Sequence, residues 1–112
     1  MPSFTWSLRP KSSFEMEITN NTVNQQFEVR EEDHLAVLQY RMRGERMYFM
    51  HTGVPDALGG RGIAAALAKH GLEYARANGH QIVVYCPYVQ AYMKRNPEYN
   101  DLLAPKQPNT KK

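Results

Sequence analysis

The stretch PDALGGRGIAAAL, Pro55 to Leu67, places Gly59, Gly60 and Gly62 around one arginine and then continues into alanines. Such a run is typical of a flexible loop, of a helix start, or of a cradle for a phosphate group. A helix N-terminus presents unpaired backbone N–H groups and the positive end of the helix dipole, so it binds anions readily. Glycines at that point let an anion approach the backbone, because no Cβ atoms stand in the way.

The hydrophobic pattern on both sides of this turn predicts an α+β domain with a mixed sheet. Four β-type runs precede the turn: Met16–Thr19, Gln26–Val29, Leu35–Met42 and Met47–Thr52. Three elements follow it, namely a helix over Ile63–Asn78, a fifth strand over Ile82–Tyr85 and a short C-terminal helix over Val89–Lys94. We expect the first four strands to be antiparallel. Because a helix crosses over to the fifth strand, that strand can lie parallel to the fourth.

Two local patterns refine this expectation. The pair Asn20-Asn21 predicts a turn at the end of the first strand. The fourth strand carries apolar side chains on both of its faces, from Met47 to Met50. Such a strand is expected to be central in its sheet and covered by helices or by a ligand.

The bulk composition bounds the class of protein. A chain of 112 residues with 42% hydrophobic and 22% charged residues is typical of one folded domain. We expect one folded domain over 15–103, with a flexible extension over 1–14 and a disordered basic tail over 104–112. No apolar run approaches the roughly 20 residues that cross a bilayer, and no secretory signal is evident. A cytoplasmic location is expected, with targeting to an organelle by the acid-poor start left open.

The distribution of charge argues against a nucleic-acid partner. The net charge of +3 arises in the two ends of the chain, whereas residues 15–105 carry nine basic and eleven acidic side chains. A duplex-binding surface needs basic residues gathered on one folded face. The single cysteine, Cys86, excludes an intramolecular disulfide and a multi-cysteine zinc site. The spacing of the histidines suggests no metal site either.

Two familiar nucleotide motifs fit the glycine turn poorly. A P-loop needs Gly-Lys followed by Ser or Thr, and Ala64-Ala65 stands at the corresponding place. The run from Gly60 to Ala65 fits the dinucleotide pattern G-x-G-x-x-A. That pattern also requires an acid about 20 residues later, where this chain has Ile82 and Val83. The dinucleotide interpretation is therefore weak.

A third motif, the pyrophosphate loop for coenzyme A, fits together with several others. The chain carries HTGVP at 51–55, GRGIA at 60–64, CPYV at 86–89, Tyr92 and RNPEY at 95–99. In this order they resemble a short, single-domain family of the GNAT superfamily of acetyl-CoA-dependent N-acetyltransferases. The resemblance covers Glu15 to Leu103. In the GNAT turn, Arg/Gln-x-x-Gly-x-Gly/Ala, Gly59 takes the position where arginine or glutamine is usual, which removes a possible phosphate contact.

The resemblance implies that coenzyme A lies between the fourth and fifth strands. Its pyrophosphate would rest on the Gly59–Ala64 turn, and its pantetheine arm would lie beside the backbone of His51 to Val54. The implied cofactor-binding residues are Thr52, Val54, Gly59, Gly60, Arg61, Gly62, Ile63 and Ala64.

The candidates for chemistry follow the two strands that flank this site. Cys86 ends the fifth strand, and Pro87 can begin a helix, which places the thiol at a helix N-terminus where a thiolate is favoured. The resemblance implies an acetyl-cysteine relay through Cys86; direct transfer to an amine and a merely buried cysteine are the alternatives. His51 is a candidate base or partner of Cys86, with a packing role as its alternative. Tyr88 and Tyr92, four residues apart, are expected to line an acceptor pocket.

Two functions are consistent with these residues. The first is an acetyl-CoA-dependent N-acetyltransferase acting on an unknown amine, either a small molecule or a protein lysine. The second is a catalytically silent acyl-CoA-binding or protein-interaction module of the same fold. The replacement at Gly59 and the lack of an obvious carboxylate base near the turn favour the second.

Overall fold

A computed structural model describes residues 17–105, which form one five-stranded sheet with its strands in sequence order. The strands are β1 (Thr19–Asn21), β2 (Gln26–Glu31), β3 (His34–Arg43), β4 (Arg46–Gly53) and β5 (Gln81–Val84). The helices are α1 (Ile63–Ala77) and α2 (Pro87–Arg95), with short 3₁₀ helices over Asp56–Leu58 and Pro97–Leu102. Strands β1 to β4 pair antiparallel and β5 pairs parallel to β4. This arrangement confirms the predicted α+β fold.

The predicted turn at Asn20-Asn21 is wrong, because both residues belong to β1. The side chain of Asn21 explains the error, since its Oδ1 accepts a hydrogen bond from the N–H of Asn24 at 3.0 Å. Asparagine therefore begins the turn from the last position of the strand. The predicted strand began at Met16, which lies outside the described residues, as does the predicted extension over 1–14.

Both helices pack on the same face of the sheet. The buried core joins Phe27, Leu38 and Phe49 from the strands to Leu67 of α1 and Val89 of α2. On α1, glycine permits a close approach at position 71, as a Cβ atom there would lie 2.9 Å from Cε1 of Phe49. The helices thus bury one row of side chains from each of the long strands.

The opposite face of β4 is not covered by a helix. Tyr48 is half-buried and Met50 is 37% exposed, whereas Met47 and Phe49 on the core face are completely buried. The apolar sequence of β4 led us to expect cover by helices or by a ligand. Within the described residues, helices cover only one of its two faces.

The pairing of β4 with β5 is short, and its end positions the candidate site. It runs only from Arg46 opposite Gln81 to Phe49 opposite Val84. The carbonyl of Phe49 then accepts hydrogen bonds from the N–H groups of both Tyr85 and Cys86, at 2.9 and 3.0 Å. Beyond this point β4 continues beside β3, whereas the chain after β5 turns into α2. The two strands therefore separate at their C-terminal ends.

A bulge in β4 lies next to the end of its pairing with β5. Tyr40 of β3 pairs with Phe49, but the preceding residue Gln39 pairs with His51, so Met50 is an extra residue in β4. An extra residue breaks the alternation of side chains between the two faces. The faces of all later residues of β4 are consequently exchanged relative to a regular strand.

The end of the described chain is held against α1 and β5. Tyr99 is 3% exposed, and its hydroxyl donates to a carboxylate oxygen of Glu73 at 2.5 Å. Arg76 pairs with Asp101 at 3.0 Å, and the N–H of Ala104 donates to the carbonyl of Ile82 at 2.9 Å. Ala104 lies one residue beyond the predicted domain boundary at Leu103, and the rest of the predicted tail from 106 onward lies outside the described residues. No helix within residues 17–105 combines the length and apolar character needed to cross a membrane.

Candidate functional site

The start of α1 is an open N-terminus built on glycine. Gly62 is the N-cap residue with φ +77°, and Gly60 has φ +78°. An ideal Cβ atom at either position would meet nothing within 4 Å. No side chain caps the helix and no acidic residue lies in its first turn. Since the first helical hydrogen bond runs from Ala66 N–H to Gly62 O, the N–H groups of residues 63–65 have no acceptor within residues 17–105.

A cleft of about 350 Å³ lies directly in front of these N–H groups. Six of the predicted cofactor-binding residues line it: Val54, Gly59, Gly60, Gly62, Ile63 and Ala64. Tyr88 of α2 also lines the cleft. The site therefore combines backbone donors, a helix dipole and space, which is the donor set that a phosphate or pyrophosphate group requires.

Sequence reasoning missed four further lining residues, Pro55, Asp56, Leu58 and Ala65. The first three belong to the 3₁₀ turn between β4 and the glycines, or precede it. Pro55 is the residue that signals such a turn, because its fixed φ favours it. Asp56 is the only carboxylate among the cleft-lining residues that the structure describes.

Arg61 and Gly59 differ in their relation to the cleft. The Arg61 side chain turns away to Glu32 in the β2–β3 loop, with Nη2 3.4 Å from Oε1, and it does not line the cleft. Gly59 lines the cleft in an extended conformation with φ −66°. A Cβ atom at this position would lie 3.3 Å from the carbonyl oxygen of Asp56. A larger residue at 59 would therefore require that carbonyl to yield slightly.

Cys86 lies at the other end of the site, where β4 and β5 separate. It is the N-cap residue of α2, with Pro87 as the first helical residue, and it is only 1% exposed. Its Sγ lies 3.2 Å from Oγ1 of Thr52, and either atom can donate the hydrogen bond. The predicted cofactor residue Thr52 is therefore the partner of the predicted catalytic thiol. Nothing in the sequence signals this pairing, since the two residues are 34 positions apart.

His51 lies on the opposite face of the sheet from Cys86. It pairs with the exposed Gln39, whereas Thr52 pairs with Leu38 in the core. The His51 ring lies beside Gly53, where a Cβ atom would be 3.6 Å from Nε2. The structure therefore brings Thr52, and not His51, to the thiol.

Tyr88 and Tyr92 have different surroundings in the described residues. Tyr88 lines the cleft at the start of α1, whereas the ring of Tyr92 lies 6.4 Å from that of Tyr99. Burial raises the pKa of Tyr92, and the nearby carboxylate of Glu98 adds to the effect. Tyr92 consequently belongs with the packing at the chain end in this structure.

Comparison with known proteins decides the family. The family model described as GCN5-related N-acetyl-transferase matches residues 26–102, more than half of the chain. The protein belongs to the GCN5-related N-acetyltransferase family. The matched region includes the cleft, Thr52 and Cys86.

Relatives of this N-acetyltransferase family member are found among animals. "Protein NATD1" of Xenopus tropicalis is 36% identical over 104 residues, which cover 88% of this chain and 94% of that protein. The mouse protein of the same name is 42% identical over 73 residues, 62% of this chain and 66% of its own length. A solution NMR structure of a GCN5-like protein from Staphylococcus aureus aligns with a TM-score of 0.62 and 27% identity. That alignment covers 86% of this chain and 95% of the other.

The potential metal-ligating side chains of residues 17–105 are not clustered. In that range no three or more His, Cys, Asp or Glu residues are grouped so that they could hold a metal ion. The chemistry available there consists of backbone donors at one end of the site and a thiol–hydroxyl pair at the other.

Proposed function

We propose that this protein is an acetyl-CoA-dependent N-acetyltransferase, and that the cleft at the start of α1 binds the pyrophosphate of coenzyme A. The observation that carries the proposal is the uncapped helix start, in which Gly60 and Gly62 leave open space in front of three unpaired N–H groups. Two phosphates carry negative charge that these donors and the helix dipole would stabilise. Arg61 would join them only by leaving Glu32, a surface pair of small energy.

The acetyl end of the donor would reach Cys86 along the end of β4. Val54 lines the cleft, and Thr52, two residues earlier, contacts the thiol. A pantetheine arm beside residues 52–54 would therefore connect the pyrophosphate site to Cys86. Backbone groups of a strand that has lost its neighbour can hydrogen-bond the amides of such an arm.

In the proposed relay the acetyl group moves twice. The sulfur of Cys86 attacks the thioester, the bond from the acetyl carbon to the coenzyme A sulfur breaks, and the thiol proton passes to the leaving sulfur. A neutral amine then attacks acetyl-Cys86, the carbon–sulfur bond breaks, and one amine proton returns to the cysteine. Thr52 holds the thiol in place. His51, on the far face, is proposed as the base that takes the extra proton from an incoming ammonium group.

A second candidate function is a catalytically silent acyl-CoA-binding module. Two observations favour it: Cys86 is almost completely buried, and His51 lies on the other face of the sheet. Such a module would bind coenzyme A in the same cleft. A cytoplasmic location belongs to both proposals and is supported by the single unpaired cysteine.

Mass spectrometry of the intact protein after incubation with acetyl-CoA separates the two functions. The enzyme is expected to gain the mass of one acetyl group, located on the peptide that contains Cys86. Cys86→Ser is expected to lose this adduct while still binding coenzyme A. A protein that binds coenzyme A, gains no acetyl group and releases no coenzyme A thiol with any amine is the silent module instead.

A further inference from the structure

A second cavity lies on the sheet face that no described helix covers. This outer groove has a volume of about 490 Å³ and is lined by Arg41, Met42, Arg43, Tyr48, Met50 and Tyr85. Its size is that of a small-molecule site, and its lining combines aromatic and apolar side chains with a few charged groups. None of these residues has a part in the cleft at the start of α1.

The charge in the outer groove is positive and uncompensated. Arg41 and Arg43 are two residues apart on β3 and thus point to the same face, where Arg46 of β4 lies directly opposite Arg43. Within residues 17–105 the ion pairs are Arg61–Glu32 and Arg76–Asp101, so none of these three guanidinium groups has a carboxylate partner. The nearest acid in sequence is Glu45, in the exposed turn between β3 and β4.

The aromatic wall of the groove comes from β4 and from the residue that follows β5. The rings of Tyr48 and Tyr85 are stacked, with centroids 6.1 Å apart and planes 23° apart. Tyr85 is 43% exposed and its neighbour across the strand gap, Met50, is 37% exposed. Here large, solvent-exposed apolar side chains lie beside unpaired guanidinium groups. Such a surface is suited to a ligand with an apolar body and an anionic end.

The groove reaches the point where β4 and β5 separate. Tyr85 and Cys86 are consecutive, and both N–H groups bond to the carbonyl of Phe49. The Tyr85 side chain lies in the groove, whereas the Cys86 side chain lies in the core on the other face. A ligand in the groove therefore lies one residue from the proposed acetyl carrier, and the arginines of β3 lie two strands away from it.

We propose that the outer groove binds the acetyl acceptor, and that this acceptor is an amine that carries a carboxylate or a similar anionic group. The inference rests on the proposed acetyl transfer and adds the class of acceptor to it. The anionic group pairs with Arg41 and Arg43, the body of the acceptor lies on Tyr48 and Tyr85, and the amine points to the strand gap. Because two interstrand spacings separate β3 from β5, the amine and the anion of a good acceptor are about 10 Å apart.

The same charges disfavour other amines. A polyamine or a lysine among basic residues would place further positive charge beside three unpaired arginines, and like charges repel. A plain alkylamine would retain the apolar contact but lose the anionic anchor. The groove is therefore expected to select among amines by the charge that each carries at the end remote from its reacting nitrogen.

The test compares amines that differ only in their carboxylate. Binding of 8-aminooctanoate and of octylamine is measured by the shifts of the Tyr48 and Tyr85 ring protons, and acetyl transfer is measured as release of the coenzyme A thiol. We expect 8-aminooctanoate to bind at least tenfold more tightly than octylamine and to have the higher kcat/KM. The short 4-aminobutyrate is expected to have no such advantage over butylamine, since its carboxylate cannot reach β3.

Two double variants test whether the preference for a carboxylate arises in the groove. Arg41→Gln/Arg43→Gln is expected to reduce the carboxylate advantage about tenfold, whereas Lys69→Gln/Lys94→Gln removes equal charge from the exposed helix surfaces and is expected to retain it. An advantage that survives in the arginine variant, or equal binding of octylamine, overturns the inference. Binding of 8-aminooctanoate in the groove without acetyl transfer contradicts the proposed function instead, so the two failures are distinguishable.

Discussion

The hydroxyl of Thr52 lies 3.2 Å from the thiol of Cys86 and joins the end of β4 to the start of α2. The contact forms at the point where β4 and β5 lose their pairing, and it fixes the orientation of a thiol that stands at a helix N-terminus. Thr52 is thus a positioning residue for Cys86 in the proposed relay.

Removing the Thr52 hydroxyl should slow acetylation of Cys86 without affecting the binding of coenzyme A. A hydrogen bond of this kind contributes about 1 kcal/mol, and about 2 kcal/mol when one partner is charged, so Thr52→Val is expected to slow adduct formation about tenfold. Thr52→Ser retains the hydroxyl and should react at nearly the original rate. Time-resolved intact-mass spectra measure both. Equal rates in the two variants would show that the contact has no part in the chemistry.

Gly71 on α1 should be intolerant of even one additional methyl group. Alanine is the better helix former by about 1 kcal/mol, yet its Cβ would lie 2.9 Å from Phe49 and 3.1 Å from Leu38 in the completely buried core. Overpacking of this kind costs about 1 to 3 kcal/mol. We expect Gly71→Ala to lower the free energy of unfolding by about 1 kcal/mol, measured in urea.

A second substitution tests the cause of that loss. Phe49→Leu makes room opposite Gly71 and should be less harmful in the Gly71→Ala background than alone. Double-mutant analysis of the unfolding free energies therefore should give a favourable coupling between the two sites. Additive effects would mean that the methyl group is accommodated elsewhere.

The half-buried His70 should make stability sensitive to mild acid. Burial lowers the pKa of His70 below its ordinary value of 6.5, and its ring packs 5.2 Å from that of Phe27. The unfolded chain therefore binds a proton at this histidine first as the pH falls through about 6.5. The contribution of neutral His70 to the free energy of unfolding is present above this pH and is lost below it. The free energy of unfolding should therefore be lower at about pH 5.5 than at about pH 7.5.

Variants at His70 and Asp101 distinguish the source of this dependence. His70→Gln should flatten the change between the two pH values, whatever its effect on overall packing. The Arg76 side chain lowers the pKa of Asp101 from 3.8, so the contribution of Asp101 is lost only in stronger acid. Asp101→Asn should leave the change between pH 7.5 and 5.5 intact. A steep change that persists in His70→Gln would point to another group.

The order of strands and helices was predictable because its signals are local. Apolar periodicity and the glycines after Pro55 identify the elements around α1, and a helix between β4 and β5 permits their parallel pairing. The glycines of the cleft were likewise predictable, because glycines directly before a helical pattern indicate a helix start with an accessible backbone.

The relation between His51, Thr52 and Cys86 was not predictable from the same signals. Strict alternation from Phe49 would place His51 on the core face beside Cys86 and Thr52 on the outer face. The bulge at Met50 exchanges the two. A bulge arises from the pairing of two strands, and nothing in the local sequence of β4 marks it. The outer groove was missed for a related reason, because its arginines and tyrosines come from β3, β4 and the residue after β5 and meet only in the folded sheet.

Calorimetric titration with coenzyme A tests the central claim, that the open N-terminus of α1 is the cofactor site. Gly62→Ala and Gly44→Ala both place a methyl group on a residue of positive φ with open space around it, so they should cost similar stability, about 1 kcal/mol. Gly44 lies in the β3–β4 turn, at the other end of β4 from the cleft. The wild-type protein and Gly44→Ala should bind coenzyme A equally, and Gly62→Ala should bind at least tenfold more weakly. No binding to the wild-type protein, or equal binding by the two variants, would contradict the claim.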